Sequence, residues 1–194
     1  STQPDIILSV KSILNLKKTI IKFKKDCVIS VPKIFGLKNS KIVKKNNTKK
    51  EYAIKNMIGA AFMAEKKKFI KLGMFDENFF FYWEDVDLGH RIIESKYNIF
   101  INTKSIAKHI SGTSSQNTFR TLAIRNINFK FGEYFFLSKI KKLRLIKVIR
   151  QLVFNLFYSL FYFILLKFKE SFKYICYFFF IIKFFITKLK FYAE

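Results

Sequence analysis

The stretch "FDENFFFYWEDVDLGHR", Phe75 to Arg91, combines a run of aromatic residues with a concentration of acids. It holds five carboxylates, although the whole chain has only 13 acidic residues against 37 basic ones. From Glu84 to Ser95, residues Val86, His90 and Ile93 recur at helical spacing on one face. The pattern predicts a helix that begins at the acids, where the helix dipole favours carboxylates.

The acids and aromatic residues of this stretch admit two interpretations. The simpler one is a helix with an acidic first turn, next to aromatic residues that belong to a core. The alternative is a catalytic site, because a carboxylate at a helix N-terminus stays ionised and can accept a proton. An exposed Tyr82 and Trp83 would then offer flat apolar faces to a sugar ring. The spacing of the residues leaves both interpretations open.

Short apolar segments on both sides of this helix predict an α/β protein. Helical periodicity predicts a helix from Asp5 to Phe23, and "CVISVPKIF" (27–35) predicts a strand whose Pro indicates an edge or a strand end. A Lys-rich surface loop (36–51), a strand, and a short helix ended by Gly73 are expected next. After the acidic stretch, "YNIFINT" (97–103) and "SIAKHISGTSS" (105–115) predict two short strands, the second running into a polar loop.

The overall composition is that of a folded, strongly aromatic and strongly basic protein. The chain is 51% apolar, with 26 Phe and 9 Tyr but only 2 Pro and 6 Gly. Its net charge of +24 suggests nucleic acid or an anionic membrane. Codon composition in an AT-rich genome would also produce this excess of Lys. No nucleic-acid-binding motif accompanies the lysines, so a nucleic-acid partner is not expected.

The cysteines and the first residues bear on the compartment. Cys27 and Cys176 are far apart and belong to no CxxC pair or Cys/His cluster. They predict neither a structural zinc site nor a disulfide framework, and they favour a reducing, cytoplasmic compartment. The opening residues "STQPDIIL" lack the charged and apolar regions of a signal peptide.

The composition changes after about residue 137. Residues 139–194 interleave 17 Phe and Tyr with 12 Lys and Arg. The uncharged run 151–166 would extend about 24 Å as a helix, shorter than the roughly 30 Å hydrocarbon core of a bilayer. We therefore expect residues 138–194 to form basic, aromatic amphipathic helices that lie on an anionic membrane surface. A pair of helices buried against a missing partner is the alternative.

Several motifs follow one another in an order that resembles one enzyme family. Residues 59–92, "GAAFMAEKKKFIKLGMFDENFFFYWEDVDLGHRI", resemble the central segment of glycosyltransferase family 2 enzymes, particularly the rhamnosyltransferase-like members. The shared elements are a small-residue strand, a Gly-x-Phe-Asp-Glu turn, an aromatic and acidic core, and an Arg three positions later. Downstream, "AKHISGTSS" and "RTLAIRNINFKF" resemble the family's His-containing loop and Arg-Asn helix. Upstream, "TQPDIIL" resembles a segment that usually reads Asn-Pro-Asp, with Gln3 in place of Asn.

The resemblance covers roughly residues 3–137 and carries expectations for fold and function. It implies that residues 1–137 are the C-terminal part of a GT-A (Rossmann-like) glycosyltransferase domain, whose nucleotide-binding half would precede Ser1. It implies inverting transfer of a sugar from a nucleotide-sugar donor to a saccharide or lipid-linked acceptor. Cell-surface polysaccharide synthesis, with peripheral attachment to the cytoplasmic face of the cell membrane, would be the setting. The alternative function is a truncated, catalytically inactive remnant that binds membrane.

The same resemblance implies roles for individual residues. Asp85, the Asp of the Glu-Asp pair, would be the general base. Asp5 and His109 would hold a divalent metal, Mn²⁺ or Mg²⁺, at the donor diphosphate. His90 lies on the helix body, so a structural role is expected for it. The acceptor side and the acidic loop would be formed by Trp83, Glu84, Asp87 and Arg91.

Overall fold

The computed structural model describes residues 5–35, 50–79, 81–110 and 118–191, with side chains described up to residue 186. The chain divides into two compact units, one of residues 1–78 and 84–114 and the other of residues 79–83 and 115–194. The domain boundary predicted at residue 137 falls inside the second unit, because the helix before it clusters with the tail. Most of the predicted Lys-rich loop, and the polar loop after Ile110, lie outside the described residues.

A five-stranded sheet forms the centre of the first unit. Its longest strand, β5, pairs in parallel with β2 and antiparallel with β1 and β3, while β4 pairs antiparallel with β2. Together with the helices of this unit, the sheet makes a mixed α/β architecture, as predicted. The strands are β1 (Ile6–Leu8), β2 (Cys27–Phe35), β3 (Glu51–Ile54), β4 (Met63–Ala64) and β5 (Asn98–His109).

The beginning of the chain corrects the prediction of a single helix from Asp5 to Phe23. Residues 6–8 form β1, and helix α1 runs only from Val10 to Lys22. The helix begins where the Ser9 hydroxyl accepts a hydrogen bond from the Ser12 backbone N–H at 3.1 Å. The apolar periodicity extends through β1, but pairing of this segment with β5 overrides it.

Residues 98–109 form one strand of 12 residues and not the two short strands that were predicted. The register of β5 against β2 shifts directly after Pro32, which lies opposite Asn102. The Asn102 side-chain oxygen accepts hydrogen bonds from the backbone N–H groups of Lys104 and Ser105. The polar residues that suggested a break therefore support an irregularity within a continuous strand.

Pro32 does not mark an edge strand, because β2 lies between β4 and β5. Strand β4 is short and pairs only with Ile29 and Ser30. Pro32 lies beyond the end of β4, so no described strand needs a hydrogen bond from it on that side.

Along the chain, two helices follow β4 and precede β5. Helix α2 (Lys66–Lys71) is followed by Gly73, whose φ of +81° favours glycine. Helix α3 (Glu84–Glu94) begins at the acids and directs the fully buried Leu88 and Ile92 into the aliphatic core. The short helix, its terminating glycine and the acid-led helix are thus confirmed.

The second unit is helical and contains α4 (Phe119–Lys139), α5 (Leu145–Ile164) and α6 (Phe168–Phe191). Helix α5 begins six residues before the uncharged run 151–166, so it has 20 residues and extends about 30 Å. The six additional residues include Lys147 and Arg150, so the uncharged run keeps its length and the placement of this segment on a membrane surface stays a prediction. By length and composition alone, α5 is the one described helix that could cross a membrane.

Candidate active site

Asp85 lies in the first turn of α3, and its carboxylate is held by the backbone of the first unit. Its Oδ2 accepts a hydrogen bond from the Gly59 backbone N–H at 2.9 Å. Burial raises the pKa of this carboxyl, while hydrogen bonds from the backbone N–H groups of Gly59, Val86 and Asp85 itself oppose that rise. The result is an oriented carboxylate with a higher proton affinity than an exposed aspartate, which suits a general base.

Gly59 packs closely against this acid. A Cβ at position 59 would lie 3.2 Å from the Cβ and 3.5 Å from the Oδ2 of Asp85. The absence of a side chain therefore lets the Gly59 N–H approach the carboxylate. Sequence reasoning missed this residue as part of the site. The available signal was the run of three small residues at 59–61. Nothing in the sequence linked this run to an acid 26 positions later.

Glu84, the residue before Asp85, has an unused hydrogen-bonding atom. Its Oε2 is buried and has no hydrogen-bond partner among the described residues. Burial raises the pKa of this carboxyl, and the neighbouring Asp85 charge raises it further. A ligand hydroxyl would satisfy this oxygen. The geometry is therefore compatible with the substrate-binding role implied for Glu84.

Asp87 and Arg91 form an internal contact on α3. The Arg91 Nε donates to Asp87 Oδ2 at 2.8 Å, and the Asp87 side chain is almost fully buried. The guanidinium also donates to the backbone carbonyls of Leu72 and Met74, the latter at 2.6 Å. These contacts fix the turn around Gly73 to the last turn of α3. In the structure, Asp87 and Arg91 bond to each other, and Arg91 joins α3 to the preceding turn.

Trp83 belongs to the second unit, where its ring packs on α4. The centroid of its ring system lies 5.9 Å from that of Phe129 and 5.7 Å from that of Phe136. A Cβ at Gly132 would lie 2.8 Å from Trp83 Cδ1, so the glycine makes this contact possible. Trp83 is therefore half-buried against a helix and is not the exposed platform that was expected. Its indole Nε1 is buried without a hydrogen-bond partner among the described residues.

An open groove of about 260 Å³ lies in the second unit. Aromatic side chains and two polar ones line it, a combination that suits a sugar ring, because rings stack on the aromatic faces while hydroxyls bond the polar groups. The sequence analysis named Tyr82 and the Arg-Asn helix, but it did not predict that they line one groove. The lining residues are Tyr82, Leu122, Arg125, Asn126, Phe129 and Tyr177.

Asp5 and His109, about a hundred positions apart in the chain, meet at the end of the β1–β5 pair. The His109 Nε2 lies 3.1 Å from Asp5 Oδ2, because the antiparallel register places Ile6 opposite His109. A carboxylate and an imidazole together suit Mn²⁺ or Mg²⁺ when substrate phosphates complete the shell. The His109 Nδ1 is buried and has no hydrogen-bond partner among the described residues. Within those residues, no cluster of three or more His, Cys, Asp or Glu side chains could hold a metal unaided.

Residues 40–112 match a family model described as the N-terminal domain of galactosyltransferase. The matched range includes the acidic stretch and His109, but not Asp5. No curated protein matches the chain.

The match indicates a glycosyltransferase-type domain. The mixed α/β architecture fits such a domain. A domain of this type implies a nucleotide-sugar donor and an acceptor, and galactosyltransferase-like domains commonly use a divalent metal.

Proposed function

We propose that the chain belongs to an inverting glycosyltransferase related to family 2, with a partial GT-A domain in residues 1–137. The single observation that carries the proposal is the Asp85 carboxylate, oriented by the Gly59 N–H in the segment that matches a galactosyltransferase model. Its donor would be a nucleotide sugar, and its acceptor a saccharide or lipid-linked saccharide in cell-surface polysaccharide synthesis.

In the proposed reaction, Asp85 accepts the proton of an acceptor hydroxyl as the hydroxyl oxygen forms a bond to the anomeric carbon of the donor. The bond from that carbon to the diphosphate breaks, and the nucleoside diphosphate leaves with the electron pair. Attack opposite the leaving group inverts the anomeric configuration. The raised pKa of Asp85 favours proton uptake, while the backbone N–H groups keep the ionised form available.

A divalent metal, when bound, would neutralise charge on the departing diphosphate. Asp5 and His109 would hold it, since they present one carboxylate and one imidazole at the same end of the sheet. Glu84 would accept a hydrogen bond from the acceptor through its unpartnered Oε2. Asp87 and Arg91 would act indirectly by holding α3 and the preceding turn in place.

The setting proposed for the reaction is the cytoplasmic face of the cell membrane. The support is the basic, aromatic composition of residues 138–194, because each Lys or Arg near an anionic surface contributes on the order of 1 kcal/mol. Lipid-linked acceptors would be concentrated at that surface.

A donor panel tests the proposal. Membranes containing the full-length gene product would be incubated with individual nucleotide sugars and Mn²⁺, and nucleoside diphosphate release and sugar incorporation into membrane glycans would be measured. Membranes from cells carrying Asp85→Asn serve as the control. Incorporation from one donor that disappears in the control supports an active transferase. Equal background for all donors in both preparations favours the inactive remnant.

A further inference from the structure

Helix α5 has an apolar surface around most of its circumference. Between residues 151 and 164, its outward side chains include no charged and no amide group. A helix that is apolar on all outward sides needs an apolar surrounding, either a protein core or a membrane. The exposed apolar residues in this range are Val153, Phe154, Leu156, Phe157, Leu160, Phe161, Phe163 and Ile164.

The polar side chains of α5 face inward instead. Asn155 and Ser159 are both over nine-tenths buried. The Ser159 hydroxyl donates to the Ser171 carbonyl at 3.2 Å, and the Ser171 hydroxyl donates to the Ser159 carbonyl at 2.9 Å. Near the start of the range, Gln151 accepts a hydrogen bond from the Tyr134 hydroxyl at 2.6 Å. Small and polar residues between helices, with apolar residues outside, are the arrangement of helices packed in lipid.

This distribution argues against a helix lying flat on a membrane surface. A surface helix turns a polar face to water and an apolar face to lipid. Helix α5 has no such polar face from residue 151 to residue 164, because Gln151 and Ser159 bond to α4 and α6 and Asn155 is buried.

The dimensions and the flanking charges match a bilayer. The uncharged run 151–166 extends about 24 Å as a helix, and the side chains of Arg150 and Lys167 at its ends reach outward to the headgroups, so that the whole matches a hydrocarbon core of roughly 30 Å. Cations flank this run: Arg144, Lys147 and Arg150 lie before it, and Lys167 and Lys169 lie after it. In the first turns of α6, Lys173 pairs with Glu170 at 3.7 Å. Cations at these depths reach the headgroups, while the middle of α5 and residues 174–182 of α6 are free of charge.

We propose that α5 is embedded in the hydrocarbon core of a lipid bilayer as a transmembrane helix, with α6 packed on it through the Ser159–Ser171 contact. The inference is independent of sugar transfer, since it uses only the distribution of polar and apolar side chains in the second unit. Surface attachment and burial against another protein are the alternatives that the experiment separates.

Two matched variants test the depth of α5. Ile146 and Phe157 are both exposed apolar residues, about three helical turns apart on one face. In the full chain expressed in cells, the unmodified protein should stay in the membrane pellet after high salt and alkaline carbonate. Ile146→Lys should behave the same, because the new ammonium reaches the headgroups. Phe157→Lys should lower the retained fraction by about tenfold, because it places a charge near the middle of the uncharged run, seven residues from Arg150 and ten from Lys167.

Cysteine labelling gives a second measurement that does not require a disruptive substitution. Phe157→Cys should resist a membrane-impermeant maleimide in intact membranes and react after detergent is added, whereas Ile146→Cys should react in at least part of the intact sample. Release of the unmodified protein by salt would show surface attachment. Release by carbonate, with Phe157→Cys protected beforehand, would show a protein partner. Either result, or equal retention of the two Lys variants, overturns the proposal.

Discussion

Arg91 offers the sharpest test of how the acidic helix is held. Its guanidinium donates to the Asp87 carboxylate at 2.8 Å and to the carbonyls of Leu72 and Met74. The Arg91→Ala variant removes all three donors and leaves the charge of Asp87, whose side chain is 2% exposed, without its guanidinium partner.

The expected loss in the free energy of unfolding follows from the burial of Asp87. Breaking a buried ion pair costs 3–5 kcal/mol, and the 20% exposure of the Arg91 side chain favours the lower end, about 3 kcal/mol. For a chain of this size, such a loss lowers the unfolding temperature by about 6–12 °C. Arg91→Lys should lower the unfolding temperature less than Arg91→Ala does, but by more than half as much. A single ammonium group cannot reach the three acceptors that the forked guanidinium contacts.

Thermal unfolding of the detergent-solubilised protein measures this shift. Limited proteolysis around residues 72–76 reports whether the turn itself has loosened. Lys71→Ala, which removes an exposed cation from the neighbouring helix α2, is the control and should change the unfolding temperature little. If Arg91→Ala matches this control and its turn stays protected, the guanidinium does not hold α3 in the way described.

Two other predictions concern the remaining acids. Burial raises the pKa of Asp85, so ionisation of this carboxyl destabilises the folded state relative to the unfolded state. The destabilisation is complete above the folded pKa and absent below the ordinary aspartate pKa of about 3.9. Asp85→Asn should therefore raise the unfolding temperature at neutral pH, with a gain that fades towards pH 4, and a gain independent of pH would contradict this. For the proposed metal, His109→Ala should raise the Mn²⁺ concentration for half-maximal transfer, and Asp5→Asn should raise it more. Unchanged titrations would exclude both as ligands.

Local sequence patterns predicted those elements whose signals are complete within a few residues. Helix α3 carries its own acidic first turn and apolar face, and α2 carries the glycine that follows its end. Strand β1 was missed because pairing with β5 overrode helical periodicity. The continuity of β5 was missed because Asn102 bonds the backbone of its own irregularity, which no local pattern shows.

The candidate site was predictable in part. The family resemblance led to Asp85 and to the Asp5–His109 pair, whose 3.1 Å separation depends on a strand register that the sequence does not reveal. The Gly59 contact with Asp85 depends on the packing of two distant segments. Trp83 was expected to be exposed, but the glycine on α4 that receives its ring lies 49 positions later in the chain. Such contacts arise from tertiary packing, which spacing alone does not encode.

The composition likewise did not show which residues of α5 face inward and which face outward. The sequence shows an aromatic, uncharged run, but the direction of Asn155 and Ser159 becomes known only when α6 is in place. The helix start at Leu145 also depends on the turn after α4, so the length of the uncharged run did not give the length of the helix.

The most direct test of the central claim compares sugar transfer by Asp85→Asn and Glu77→Gln with that of the unmodified full-length protein. Glu77 is an exposed carboxylate of the same acidic stretch, so its variant controls for lost negative charge. With a donor identified from the panel, turnover and donor dissociation constant would be measured for all three proteins. The proposal predicts that Asp85→Asn lowers turnover by about 10²- to 10⁴-fold and leaves donor affinity unchanged, while Glu77→Gln retains both. Turnover of Asp85→Asn within about tenfold of the unmodified protein would contradict the assignment of Asp85 as the general base.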